Sequence, residues 1–569
     1  MTQPNGKLRA PTCRSKPLPH TAAPLPVATQ PSVPTQVDVL VVGGGINGAG
    51  IARDLAGRGW QVLLCERDDL AGHTSSSSTK LIHGGLRYLE HYQFALVRKA
   101  LQEREVLLKS APHIMWPLRF VMPHDPAMRP AWMIRAGLFL YDHLAHREML
   151  PGSNGIDLRH SALGTPLKDQ YTHGFEYSDG WVDDARLVLL NALDARERGA
   201  TVLTRTPCTH VQRSASGWTA TLQTAKGTHT VQARALVNAA GPWADHFLRH
   251  AARPAGTEAL ATQHLRLVKG SHIVVRRLFD HDHAYIFQNP DKRIAFAIPY
   301  EREFTLIGTT DVELPNAWLH TPGPAQVDDA EVAYLCEQTS RYFKQPVTPA
   351  DVVWRYAGVR PLLDDESGDA SAVTRDYLLE PNTEAAPLLS VWGGKITTFR
   401  KLAEDAANLV GQMLADQPTL AECGTGHTAS DRAQRQAFRP GPAWTATAHL
   451  PGGDLEAWIG PAALPDADFA ALVQAAQIRY PFVPPALAHR LCRAYGSRID
   501  HVLGQAESLT ALGVEVAPDL FESELHYLVR EEWACTAEDV LWRRSKLGLH
   551  LTPAQRQAVD HWFAQRVLT

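Results

Sequence analysis

Between residues 37 and 66 the pattern of apolar and polar positions changes period twice. Val37 to Val42 is an almost unbroken β-branched apolar run, the pattern of a strand buried on both faces. Ile51, Ala52 and Leu55 then recur at helical spacing, Gly57 and Gly59 stop that helix, and Gln61 to Cys65 returns to a strand that ends at Glu66. Residues 94–112 and 183–200 read as amphipathic helices. Four short runs between 265 and 311, "RLVKGSHIVV", "AYIFQ", "RIAFAIPY" and "FTLIGTTD", are apolar or alternating and predict an antiparallel sheet.

Two later segments repeat the theme of a strand running into small residues. In 232–245, Leu236 and Val237 lead into Ala239, Ala240 and Gly241. In 388–410, a strand from Leu388 to Trp392 meets Gly393 and Gly394, and a helix starting near Thr397 carries Leu402, Ala406 and Leu409. Residues 412–440 are polar and aperiodic. Beyond them, Pro484 and Pro485 open one helix and Gly496 stops it, Thr536 and Asp539 form a capping box, and Thr552, Pro553 and Gln555 open a helix that buries Val559, Trp562 and Phe563.

The pattern predicts an α/β fold: a discontinuous Rossmann-like dinucleotide domain (36–90, 176–245 and 386–411) and an antiparallel-sheet substrate or cap domain (91–175 and 246–385). A linker (412–440) and a C-terminal helical domain (441–569) follow, and 1–35 is a Pro- and Thr-rich extension expected to be disordered. A length of 569 residues accommodates several domains. The net charge of -4 gives no global basic field for nucleic acid, and seven cysteines without a CxxC pair point away from a disulfide framework or a zinc site, so no metal is expected. No run of 18 apolar residues predicts a membrane span. The segment around Trp132, Met133, Phe139 and Leu140 reads either as a core helix or as a surface that dips into a membrane.

Gly43, Gly45 and Gly48 spell G-x-G-x-x-G between the first strand and the first helix. Glycines there permit the tight turn and bring backbone close to a pyrophosphate at the helix N-terminus, and Glu66 is placed to accept bonds from a ribose hydroxyl. This unit alone does not separate NAD from FAD. The following segment, "HTSSSSTKLIHGGLRYLEH" (73–91), helps: its hydroxyls at Thr74, Ser75 and Ser76 suit the ribityl chain and pyrophosphate of an extended cofactor, and Gly84 and Gly85 let backbone lie against a flat ring; the other reading of such a serine run is a flexible polar linker.

With these elements placed, the chain resembles the FAD-dependent, aerobic-type glycerol-3-phosphate dehydrogenases of the D-amino-acid-oxidase-like flavoprotein superfamily. The motifs that carry the match include "VVGGGINGAGIARDLAGRG", "TSSSSTKLIHGGLRYLEHYQFALVRKAL", "FEYSDGWVDDARLV", "LVNAAGPW", "KGSHIVV", "IGTTDVE", "YAGVRPLLDDE", "TRDYLL" and "GGKITTFRKLAE". They span about 37–411, and the similarity extends more loosely to 569. The chain lacks the calcium-binding DxDxDG loop of the mitochondrial members.

The resemblance implies non-covalent FAD and oxidation of sn-glycerol 3-phosphate to dihydroxyacetone phosphate, with electrons passed to a quinone. It also implies peripheral attachment to the cytoplasmic side of the inner membrane, with a cytoplasmic location as the alternative; a homodimer is carried as an expectation. Gly241, Gly394 and Thr397 join the cofactor-binding set. Arg360 and Arg375 hold the phosphate by family similarity, and lie 15 residues apart, where two strands of a hairpin would set them side by side. Arg87, Tyr88 and Lys395 line the reacting end. His272 is the first candidate for the base that takes the hydroxyl proton and His83 the second, while Arg87 and Lys395 act on the hydroxyl electrostatically. Thr309, Thr310 and Asp311 orient substrate or turn the chain, with Thr310 the substrate contact chosen among them. Two other readings stay open: an amine or amino-acid oxidase on the same scaffold, and a flavin-binding redox sensor or scaffold without turnover.

Overall fold

The computed structural model describes residues 31–125, 129–252, 260, 263–291, 293–320, 325–364, 376–415, 440–461 and 464–567. The expected extension and linker therefore lie outside the described residues except at their edges.

The strand Gln36–Val42 forms the centre of a parallel sheet, flanked by Gly227–Asn238 on one side and Val62–Cys65 on the other. Thr201–Leu203 continues it beyond Val62–Cys65, and Leu388–Gly393 beyond Gly227–Asn238. Side-chain alternation explains the unbroken apolar run. Val39 and Val41 face the helices Ile46–Gly57, Asp184–Glu197 and Phe399–Ala415, whereas Leu40 and Val42 face a layer built from Val211, Trp218, Leu222 and Phe247. Each such side chain, fully buried, contributes about 1.5–3 kcal/mol before the ordering entropy is counted. The register pairs Val42 with Asn238 and with Cys65. Three strands thus end level, and their carboxyl ends open onto one cleft, where ligands of doubly wound sheets bind.

The second sheet is largely antiparallel. In space it runs Val312–Leu314, Leu265–Arg276, Phe304–Gly308, Ile294–Tyr300, Ala284–Gln288, Met115–Pro123, His173–Val182 and Leu81–Ile82, with Val352–Leu363 paired along Leu265–Arg276. The four strands expected between 265 and 311 are all present. Three strands change sheets relative to the expected boundaries. Leu81–Ile82 and His173–Val182, expected in the dinucleotide domain at least in part, belong here, and Tyr377–Asn382, expected in the cap, pairs with Leu388–Gly393 in the parallel sheet. The hairpin expected around 361–376 is therefore incorrect: its two flanks join different sheets.

The C-terminal helices, among them Pro465–Arg479, Pro485–Tyr495, Glu522–Glu532 and Pro553–Val567, share their own core around Leu472, Leu491, Leu525, Val559 and Trp562. The capping box at Thr536 forms, with the Asp539 N–H donating to the Thr536 hydroxyl at 3.2 Å and the Thr536 N–H to the Asp539 carboxylate at 3.0 Å. The helix it opens is wound as a π-turn over Asp539–Arg544. Buried ion pairs lock this domain to the parallel-sheet domain. Arg186 donates to both oxygens of Glu532 at 2.7 and 3.0 Å, and Arg544 donates to Asp69 at 2.9 Å.

Candidate active site

A cleft of about 400 Å³ opens where the parallel strands end, walled by Gly43, Gly45, Glu66, Thr74, Ser75, Ala239, Gly241 and Gly394. Gly43 adopts φ +111°, and a Cβ there would stand 2.5 Å from the Ala239 carbonyl oxygen. A Cβ on Gly48 would run into the Gly43 carbonyl, so this glycine lets helix and turn close on each other. Gly45 is the N-cap and supplies no side-chain cap, which leaves first-turn N–H groups facing the cleft, apart from that of Ile46, which donates to Ser75 Oγ at 3.0 Å. Glu66 accepts from the N–H groups of Gly44 at 2.6 Å and Asp68 at 2.8 Å, and burial raises its pKa above the ordinary carboxylate value. A bare-backbone cradle, an uncapped helix start, an acid at the second strand end and a hydroxyl loop fit the diphosphate and ribose of a dinucleotide.

A smaller cavity of about 120 Å³ adjoins the serine loop. Its wall includes His83, Gly85, Arg87, Tyr88, Asp179, Thr309, Asp311 and Arg360. One strand serves both spaces: Arg360 faces the small cavity and Pro361 the large cleft. The same strand is tied to the cofactor loop, for Thr74 Oγ1 donates to the Val359 carbonyl at 2.8 Å and Tyr356 Oη to that of Ser78 at 2.8 Å. Arg360 donates to Asp311 at 2.6 Å and to Thr309 Oγ1 at 3.2 Å. Lys395, at the end of the strand that supplies Gly393 and Gly394, stands over the Tyr88 ring with Nζ 3.8 Å from its centroid. Gly85 takes φ +80° and abuts that same ring. Sequence reasoning brought Arg87, Tyr88, Lys395 and Arg360 to one place, and the fold does so.

Other expected residues stand differently. Arg375 lies outside the described residues. Thr310 is buried behind the wall, where its hydroxyl accepts from the Ser271 N–H at 3.0 Å and donates to Glu331 at 2.8 Å, so its neighbours Thr309 and Asp311 are the wall residues. His272 is also behind the wall. It is 1% exposed, stacks on Tyr356 at 4.8 Å, and has Nε2 2.9 Å from Thr79 Oγ1. Burial, reinforced by Arg360 and Lys80, holds its pKa well below the ordinary histidine value. That position does not suit a base that must touch substrate, whereas His83, the second candidate, is on the wall. Gly84 is packed under Tyr141, its N–H donating to Tyr141 Oη at 2.8 Å. Thr397 is buried and accepts from the His83 N–H at 3.2 Å, and Ser76 donates to the His73 carbonyl at 3.2 Å. Asp179 was missed as a site residue. It lies on a strand of the second sheet, bonded to Arg104 at 2.7 Å and Tyr141 at 2.7 Å, and only its place in "YSDG" distinguishes it in the sequence from a surface acid.

Residues 38–400 match the family model described as FAD dependent oxidoreductase, and residues 443–564 match the C-terminal domain of alpha-glycerophosphate oxidase. The chain belongs to the FAD-dependent oxidoreductase family. FAD is accordingly its cofactor. Among curated relatives of this flavoprotein, the glycerol-3-phosphate dehydrogenase of Pseudomonas aeruginosa is 49% identical, over 93% of this chain and 96% of the relative. The aerobic glycerol-3-phosphate dehydrogenase of Escherichia coli is 47% identical, over 93% and 97%. The D-erythritol 1-phosphate dehydrogenase of Brucella abortus is also 47% identical, over 93% and 98%. The structure of the glycerol-3-phosphate dehydrogenase from Bacillus halodurans complexed with FAD matches at 26% identity with a TM-score of 0.69, over 95% of this chain and 92% of that one.

Proposed function

We propose that this flavoprotein oxidises sn-glycerol 3-phosphate to dihydroxyacetone phosphate. The observation that carries the reading is the cationic cavity beside the flavin cleft: Arg87 and Arg360 on its wall, and Lys395 over Tyr88 next to it. A phosphate dianion needs convergent permanent charge, and the planar fork of Arg360 suits its oxygens. Arg375 is retained as a second phosphate ligand by the resemblance.

FAD supplies the two-electron acceptor for such an oxidation. The remaining tasks fall to the chain. Arg360, oriented by Asp311 and Thr309, anchors the phosphate, and Lys395 and Arg87 stabilise negative charge on the reacting oxygen. His83, on the wall, accepts the hydroxyl proton in place of His272. Aromatic and aliphatic groups (Phe120, Ile286 and Phe296) close the far side of the cavity and exclude water.

A second substrate has a specific observation behind it, the equal identity to a D-erythritol 1-phosphate dehydrogenase. Both named substrates are phosphate monoesters of a polyol, so the cationic wall serves either. Comparing kcat/KM for sn-glycerol 3-phosphate, D-erythritol 1-phosphate and unphosphorylated glycerol tests the reading. Preference for the first supports it, and turnover of glycerol at a similar rate contradicts it.

Electrons leave, in this account, to a quinone at a membrane surface on the cytoplasmic side. No helix among the described residues is long and apolar enough to cross a membrane. The helix Ala131–His143 buries Ile134, Leu138 and Tyr141 but exposes Trp132 at 70% and Phe139 at 58%, with Met133 and Leu140 beside them. Tyr92 and Phe94 are also exposed, at the end of the turn Leu86–His91 that begins at the substrate cavity. An apolar face rimmed by polar residues favours insertion between lipid headgroups, and the shared turn puts it near the redox site.

A further inference from the structure

A second large cavity, of about 820 Å³, lies between the antiparallel sheet and the C-terminal helices, away from the flavin cleft. Its size is in the range of small-molecule sites. Three features of its wall point to a ligand.

The first is charge. Arg302 and Arg493 both line it, and among the described residues neither has a carboxylate within ion-pairing distance. Arg302 meets His489 instead, and Arg493 donates to the carbonyl oxygens of Pro112 and His113, at 3.5 Å each, and lies over the Phe469 ring at 3.5 Å. Burial pushes the Arg493 guanidinium down to about 9, and Asp466 offsets this only in part. His489 is pushed down to about 4 by burial and by the same two arginines. Of the acids on the wall, Glu303 pairs with Arg276 at 3.0 Å, Asp466 acts on Arg493 from beyond ion-pairing distance, and Asp183, Asp282, Glu301 and Asp519 also line the cavity.

The second is unmet hydrogen bonding. His113 is fully buried on the wall, and among the described residues neither of its ring nitrogens has a hydrogen-bond partner. The Tyr300 hydroxyl, also buried there, has none among the described residues. Orphaned buried polar atoms are destabilising unless something outside the chain satisfies them. The third is shape. Trp116 has Arg493 4.1 Å from its ring centroid and Trp181 beside it in a tilted pair at 5.6 Å, which makes an aromatic wall beside the cations. Glu301 and Arg302 take φ +46° and +66°, a left-handed pair at the tip of the hairpin that carries Arg302 to the site.

We propose that this cavity binds a phosphate ester bearing a planar ring, with the phosphate between Arg302 and Arg493, the ring against Trp116, and His113 as a neutral donor. The site is separate from the one that takes the polyol phosphate.

The test uses the FAD-loaded full-length protein and isothermal titration with adenosine 5′-monophosphate and with inorganic phosphate. Adenosine 5′-monophosphate should bind with one site per chain and at least tenfold more tightly than phosphate. Arg302→Asn, chosen because Asn tolerates the left-handed backbone, should weaken it at least tenfold while leaving turnover of sn-glycerol 3-phosphate intact. Trp116→Leu should erase the advantage over phosphate. No heat from either probe at millimolar concentration, or binding unchanged in both variants, overturns the proposal. Equal affinity for the two probes overturns its aromatic half.

Discussion

Arg360 Nη1 lies 2.6 Å from Asp311 Oδ1 while both residues face the small cavity. The carboxylate fixes the guanidinium fork without burying it, and Gly270 behind it leaves room, since a Cβ there would collide with the fork. A charge-assisted bond to phosphate contributes about 1.5–3 kcal/mol, or roughly 10- to 150-fold in binding. Arg360→Leu is therefore expected to raise KM for sn-glycerol 3-phosphate by about that factor, with flavin content unchanged, as steady-state kinetics and visible absorbance will read.

Gly48→Ala should fail differently. Its Cβ meets the Gly43 carbonyl, so the turn must open and the first-turn N–H groups move out of line with a pyrophosphate. The purified variant is expected to carry far less FAD per chain than the parent, measured by absorbance after release of the cofactor, and to regain little on added FAD.

The histidines separate by role. His83→Asn should lower kcat by about 10²-fold or more if His83 takes the proton, whereas His272→Asn should act on stability. His113 and His272 have pKa values held well below 6.5 by burial. The unfolded chain therefore binds protons that the folded chain does not once pH falls below about 6.5. Stability is full above that pH and is lost on acidification towards the lowered folded values, at about 1.4 kcal/mol per pH unit for each group. Denaturant titrations between pH 7 and 5 should show a shallower acid loss in His272→Asn than in the parent.

Sequence carried the dinucleotide unit well because its determinants are local: a both-faces-buried strand, three glycines and a helix within a few turns of chain. The capping box at Thr536 and the buried trio Val559, Trp562 and Phe563 were legible for the same reason. Non-local pairing was not. Nothing in residues 352–382 tells that the first strand joins Leu265–Arg276 and the second joins Leu388–Gly393. Nor does "IGTTD" reveal which hydroxyl faces the cavity. Thr309 and Asp311 do, two positions apart, and Thr310 between them points to Glu331. His272 was read correctly as a strand residue, but its burial depends on Tyr356 and Gly308, which come from two other strands.

The proposed membrane attachment can be tested without turnover. Trp132 and Phe139 leave the helix Ala131–His143 largely exposed. The double change Trp132→Ser with Phe139→Ser is expected to lower the fraction that co-sediments with anionic lipid vesicles several-fold and to leave Tm within about 1 °C, because neither side chain packs in the core.

The most direct measurement is anaerobic mixing of the FAD-loaded protein with sn-glycerol 3-phosphate, followed at the flavin absorbance. Rapid bleaching, absent with unphosphorylated glycerol and slowed in Arg360→Leu, is the predicted result. A flavin that stays oxidised with sn-glycerol 3-phosphate, or that bleaches with amino acids instead, would contradict the account.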